Sequence, residues 1–158
     1  MFGFWKLKFF VAKVLFDVAL FADFIKYHPF RLLRARAVRI LRELSRSRFE
    51  LSIALVDDAT MAGLNARYRG KAQPTDVLAF SLSEGEHADR RGNLLGDVVI
   101  SVETSARWAR SAHRGLDAVV ARLLVHGTLH LLGYDHEDER EARAMRAEER
   151  RLRRVIRV

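Results

Sequence analysis

A single α+β domain, a small mixed β-sheet packed against several α-helices, is the fold this sequence predicts. Three observations carry that expectation. The chain has 158 residues, with neither internal repeats nor a low-complexity linker, which suits one core rather than two. Segments 50–56, 77–82 and 94–101 are short and rich in Val, Ile, Leu and Phe, as strands are. Between and after them, apolar residues recur at helical spacing, most densely over Leu116–Leu132.

In chain order, residues 1–30 form an apolar N-terminal segment. Leu7, Phe10, Val11, Val14, Val18, Phe21 and Ile25 share one side of a helical wheel, and Lys6, Lys8, Lys13, Asp17, Asp23 and Lys26 share the other. The pattern predicts an amphipathic helix lying on the rest of the domain. Contact with a membrane surface is a less favoured use of it. The charges interrupt any run of about 20 apolar residues, so a spanning helix is not expected, nor is a signal peptide.

His28-Pro29 ends that element. Leu33, Ala37, Ile40, Leu41 and Leu44 then predict a helix whose other face carries Arg31, Arg34, Arg36, Arg39 and Arg42. That basic stripe suits a solvated face and an RNA-facing surface equally well. Glu50–Val56 alternates as a strand, and Asp57-Asp58 ends it, with Asp58 placed to cap a helix through Ala66. Residues 70–75 read as a loop, 77–82 as a second strand and 84–93 as a polar, hairpin-like excursion. Leu94–Ser101 is a third strand. A helix starts at Ser101 or Thr104 and runs to about His113, and the apolar helix 116–132 follows. Residues 137–158 form a last helix, acidic at its start and basic at its end, as the helix dipole favours. The expected division is 1–30 as the N-terminal segment and 31–158 as the functional domain.

The chemistry is concentrated in His126-Gly127-Thr128-Leu129-His130-Leu131-Leu132-Gly133-Tyr134-Asp135-His136, which holds three of the chain's six histidines. His126 and His130 are one helical turn apart and project from one face. Gly133 can take the left-handed conformation that ends a helix, and the turn brings His136 back. Three converging imidazoles are the donor set of a catalytic Zn²⁺ with a fourth position left for water. The ligand spacing also matches the zinc-protease pattern H-E-x-x-H-x-x-G-x-x-H. Gly127, however, stands where those enzymes carry the Glu that serves as general base.

HGTLHLLGYDH resembles the signature of the YbeY family of bacterial metal-dependent endoribonucleases. Two further blocks agree, in the same order. Residues 65–80, NARYRGKAQPTDVLAF, resemble that family's N-x-x-Y-R-x-K-x-x-P-T-D-V-L-S-F, and residues 95–101, LGDVVIS, resemble its G-D-I-V-I-S strand. The likeness covers roughly residues 49–140. Ala79 stands where the family usually has Ser, and Ser81 where it usually has Pro. The N-terminal segment does not match the family, which usually opens with a short strand.

The resemblance implies a zinc-dependent, single-strand-specific endoribonuclease. It would act in 3′-end maturation of small-subunit (16S) ribosomal RNA and in ribosome quality control, with His126, His130 and His136 holding one Zn²⁺ per chain. Phosphodiester cleavage also needs a cation on the scissile phosphate. Arg69 is the choice: its guanidinium is always charged, matches two phosphate oxygens and occupies the family's arginine position. Lys71 is a second, weaker substrate-binding candidate. Asp135 is expected to orient a histidine from behind. Thr75 and Asp76 either order the arginine loop or simply form its turn, and Asp97 is a candidate buried partner. His28, His87 and His113 lack companion spacing and read as structural.

Composition agrees. A formal net charge of +8 and a sequence pI of about 10.5 favour polyanionic partners: RNA, DNA or an anionic membrane surface. Of these the resemblance implies RNA, in the small ribosomal subunit, and not DNA. The absence of cysteine excludes a thiolate metal site and a disulfide framework, and it fits a reducing cytoplasm. Two other functions compete. One is a non-catalytic RNA- or ribosome-binding factor with a structural metal; the other is a metallopeptidase lacking the usual Glu.

Overall fold

The computed structural model describes residues 12–16, 30–81, 93–136 and 138–158. Among these residues four strands, β1 (Ala12–Phe16), β2 (Glu50–Val56), β3 (Val77–Ser81) and β4 (Leu94–Ser101), form one sheet in the order β1-β2-β4-β3. β1, β2 and β4 run parallel, and β3 pairs antiparallel with β4 at the other edge. Among the described residues, five helices surround it: α1 (Phe30–Glu43), α2 (Asp58–Arg69), α3 (Val102–Ser111), α4 (Leu116–Leu131) and α5 (Glu139–Ile156). The expected α+β fold and mixed sheet are therefore present.

The sheet is covered on both faces. Leu51, Ile53 and Leu55 of β2 and Val98 and Ile100 of β4 bury themselves with residues of α1, α3, α4 and α5. On the other face Val99 and Leu78 pack with Met61 of α2. A strand with helices on both sides must be apolar on both, which is why 95–101 reads as a nearly continuous apolar run. α4 is the central helix. Ten of its sixteen residues are buried, so whatever it carries is held rigidly.

Three local expectations are corrected. Residues 12–16 are a strand, not part of a helix: the backbone of β2 offers an open edge, and ladder pairing outweighs a weak helical periodicity. Arg36 does not belong to the exposed stripe of α1. It lies three residues after Leu33 and four before Ile40, in the apolar stripe itself. It is buried with its guanidinium on the Asp117 backbone oxygen (3.1 Å) and carboxylate (3.3 Å). Finally, Asp57, not Asp58, caps α2, accepting from the Thr60 N–H at 2.7 Å. The excursion over 84–93 and the histidines at 28 and 87 lie outside the described residues, except for Asn93.

Released from capping, Asp58 ties α2 to the start of α3. It accepts from Ser101 Oγ (2.5 Å) and Thr104 Oγ1 (2.7 Å) and pairs with Arg107 at 2.7 Å. Burial pushes its carboxyl up, but the bonds from Ser101, Arg107 and Thr104 prevail and hold it at about 2. A depressed carboxylate contributes stability that is present above the unfolded value, near 3.9, and is lost as pH falls toward the folded one. Asp58→Asn is thus expected to cost about 2 kcal/mol at pH 7. The deficit should narrow below about pH 4. Urea denaturation of both proteins at pH 7 and pH 3 checks this; a deficit independent of pH would refute the assignment.

Candidate metal centre and its cleft

The end of α4 is built as the sequence anticipates. The Gly133 N–H donates to the His130 carbonyl (3.0 Å) and the Tyr134 N–H to the Leu129 carbonyl (3.1 Å), with Gly133 at φ 82°. That pair of bonds is a Schellman closure, and Tyr134 packs on the core beyond it. The chain reverses and returns His136 to the face that carries His126 and His130. Ring centroids are 4.6 Å apart for His126–His130, 5.2 Å for His130–His136 and 6.0 Å for His126–His136. His130 is the hub of the three.

The donor set suits a small divalent ion. The Nε2 atoms of His126 and His130 face each other at 3.1 Å. Two bonds of about 2.0–2.1 Å at a tetrahedral angle separate zinc-bound nitrogens by roughly 3.3 Å. His130, Asp135 and His136 each offer a ligand atom within 4.8 Å of the others. Burial, then the neighbouring imidazoles of His126 and His136, hold His130 below its ordinary pKa. It therefore keeps the neutral form that presents a lone pair.

One supporting residue escaped the sequence reading. Glu149 of α5 contacts His126 Nδ1 through Oε1 at 2.8 Å. A carboxylate on Nδ1 fixes the tautomer and leaves Nε2 to the metal side. No local spacing links positions 126 and 149. The available signal was on α5 itself, where Glu149 interrupts the buried stripe of Ala142, Met145, Leu152 and Ile156. Asp135, the sequence candidate for such support, lies 3.5 Å from His136 Nδ1 and accepts from the His136 backbone N–H at 2.7 Å.

Across a cleft of about 430 Å³, Arg69, Thr75 and Asp76 face His130, Asp135 and His136. α2 runs three residues beyond Ala66, so Arg69 is its last residue rather than part of a loop. Gly70 then closes the helix at φ 69°. Buried Asn65 donates to the Gln73 carbonyl at 2.8 Å and accepts from the Lys71 N–H at 3.3 Å through its own carbonyl, pinning the loop beside Arg69. Arg69 forms no ion pair among the described residues, and its charge is felt at His130. Asp76, which lines the same cleft, makes no ion pair with Arg69. Asp76 Oδ1 accepts from the Val77 N–H (2.8 Å) and Thr75 Oγ1 (3.3 Å), and Asp76 offers its carbonyl to the Ser101 N–H (2.9 Å). Both residues thus shape the turn while lining the cleft. Lys71 is exposed and is not part of the cleft lining. Asp97, in β4 opposite Phe80, makes no hydrogen bond or ion pair with the cleft groups among the described residues. His113 is exposed just past α3, at φ 50°.

Gly127 marks where α4 touches the sheet. A Cβ there would stand 2.8 Å from Val98 Cγ1 and 3.3 Å from Val77 Cγ2. Val98 is fully buried and β-branched, so it cannot move aside cheaply. The position that bears the general base in the zinc-protease pattern is occupied here by a helix–sheet contact. Gly127→Glu should therefore cost about 3 kcal/mol or more through overpacking and a buried charge, and create no peptidase. Denaturant unfolding and a casein assay of the variant check both halves.

An α+β domain with an imidazole cluster and an exposed arginine lining one cleft defines a class of candidate metallohydrolase. A profile described as Endoribonuclease YbeY matches residues 28–157. The Endoribonuclease YbeY of Anaeromyxobacter dehalogenans is 53% identical over 125 residues, 79% of this chain and 63% of that protein. That of Geobacter sulfurreducens is 43% identical over 131 residues, 80% of this chain and 87% of that protein. The solution structure of a Thermotoga maritima protein superposes with a TM-score of 0.62 at 21% identity, covering 92% of this chain and 88% of the other, a likeness of fold. The chain belongs to the YbeY endoribonuclease family, and it spans less than two thirds of the length of its Anaeromyxobacter relatives.

Proposed function

We propose that this chain is a zinc-dependent endoribonuclease acting on single-stranded RNA. The observation that carries the reading is the Arg69 guanidinium, which has no ion-pair partner among the described residues, lining one cleft with His126, His130 and His136. His126, His130 and His136 hold the ion; Asp135 orders the last of them. A zinc ion held there would supply Lewis acidity and an activated water. Arg69 binds two non-bridging oxygens of the scissile phosphate, aligns it and takes up charge as the phosphorus centre becomes five-coordinate. Glu149 keeps His126 in one tautomer, and burial keeps His130 unprotonated. Lys71, exposed two residues beyond Arg69 and outside the cleft lining, serves the RNA backbone as a peripheral charge.

The family and the basic charge support ribosomal RNA as substrate, at the 3′ end of the small-subunit molecule, and a cytoplasmic site of action. No helix among the described residues is long and apolar enough to cross a membrane. Residues 31–158 carry every group of the proposed machinery, and β1 extends its sheet.

The test is cleavage of a single-stranded ribosomal RNA fragment, its duplex form and casein by metal-replete, chelated and zinc-restored protein. Metal-dependent cutting of the single strand, with duplex and casein intact, is the expected result. RNA bound but never cut at any metal occupancy would make the chain a binding factor. Hydrolysis of casein alone would make it a peptidase.

A further inference from the structure

A second cavity lies behind His126. It has a volume of about 210 Å³ and shares His126 and Asp76 with the cleft; Trp108, Arg122, Glu149 and Arg153 complete its polar and aromatic wall. The helices explain how it arises. Arg122, His126 and His130 are spaced by four residues and form one stripe along α4. Glu149 and Arg153 have the same spacing on α5. The contact that puts Glu149 on His126 therefore puts Arg153 beside Arg122, one turn further from the metal centre.

The charges in this cavity are unequally satisfied. Glu149 is committed to His126 Nδ1, and Asp76 to the Val77 N–H and Thr75. Arg153 spends one N–H on the Glu149 backbone carbonyl at 3.2 Å. Arg122 lies over the Trp108 ring at 5.2 Å, which holds the guanidinium in place. Neither arginine has an ion-pair partner among the described residues. Burial, followed by repulsion from Arg153 and Arg114, lowers the pKa of Arg122, and attraction to Glu149 is the smallest contribution. Two half-buried guanidinium groups held close together, beside carboxylates whose hydrogen bonds go to His126, Val77 and Thr75 instead, leave donors for an oxyanion.

We propose that Arg122 and Arg153 form a phosphate subsite for the RNA strand, gripping the phosphodiester next to the one that Arg69 engages. This rests on the endoribonuclease reading and extends it. One helical turn, about 5.4 Å of rise, separates the arginine level of α4 from the first imidazole, and His126 and Asp76 line both this cavity and the cleft that holds Arg69. The subsite makes the enzyme prefer oligonucleotides over a single phosphodiester and sets the direction in which the strand crosses the metal centre.

The test compares the metal-replete full chain with Arg122→Met/Arg153→Met, which keeps the side-chain stem on Trp108. The probes are a non-cleavable 2′-O-methyl hexanucleotide and a dinucleoside monophosphate, with binding followed by fluorescence anisotropy. Wild type should gain affinity on lengthening from two nucleotides to six. In the variant that gain should shrink about tenfold, and the salt dependence of hexamer binding should flatten by about 0.7 in log–log slope, the share of one phosphate. Arg153→Glu alone provides a second variant if the double substitution lowers the melting temperature. An unchanged length gain and slope would overturn the subsite. Displacement of the hexamer by inorganic phosphate at constant ionic strength, with the hexamer's own affinity, would also overturn it in favour of a free-anion site. If wild type binds the hexamer and the variant loses the gain, but no RNA is ever cut, the subsite stands and the enzymatic reading falls.

Discussion

His130→Ala should lose bound metal and RNA cleavage together, whereas Arg69→Ala should keep its metal and lose about 10²–10³-fold in cleavage rate. The two losses differ because the residues act on different things. His130 sits between its partners and supplies one of the three imidazoles, so without it only His126 and His136, 6.0 Å apart ring to ring, remain to hold the ion. Arg69 touches neither partner histidine by hydrogen bond. It is exposed at the end of α2, whose closure depends on the Gly70 N–H and the Ala66 carbonyl rather than on the arginine side chain. Its removal should leave melting temperature and zinc stoichiometry close to wild type. Metal analysis and single-turnover cleavage of one RNA by both variants separate the roles. Cleavage surviving in both would trace the activity to another protein in the preparation. Loss of metal from Arg69→Ala would make the arginine part of the scaffold.

That contrast shows which parts of the site a sequence can carry. The two helical histidines, the glycine and the third histidine lie within eleven residues, so helix geometry alone brings them together. β4 was legible because a strand covered on both faces reads as a nearly continuous apolar run. Arg69 was placed by family likeness. Its position on a helix end instead of a loop follows from Gly70, whose left-handed conformation marks the end of α2 more reliably than Ala66 does. The exchange of roles between Asp57 and Asp58 was not legible, because the deciding partners, Ser101, Thr104 and Arg107, are more than forty residues away. β1 was missed for a related reason. Its hydrogen bonds belong to β2, and no pattern within residues 12–16 announces them. Contacts closed inside one element leave a periodicity; contacts closed between elements leave only an oddity, such as a carboxylate in an apolar stripe.

Glu149 is the oddity with the largest expected consequence. Glu149→Ala should weaken zinc binding by about 10–100-fold while the metal-free protein still folds. The carboxylate does two things for His126. Its Oε1 contact at 2.8 Å holds the ring so that Nε2 points to His130, and its charge makes the imidazole a better donor. The bond to His126 is the largest influence on Glu149 and lowers its pKa despite its burial, so the carboxylate is ionised at neutral pH and supplies that charge. Glu149→Gln can still accept a hydrogen bond from Nδ1 but carries no charge. It should fall between wild type and Glu149→Ala, and the interval between the two variants measures how much of the effect is orientation. Zinc affinities from competition with a chromophoric chelator, alongside melting of the metal-free forms, provide the comparison. Equal affinities in all three proteins would mean that His126 needs no buttress, or is not a ligand. The ion would then rest on His130, Asp135 and His136, the three groups whose donor atoms already lie within 4.8 Å of one another.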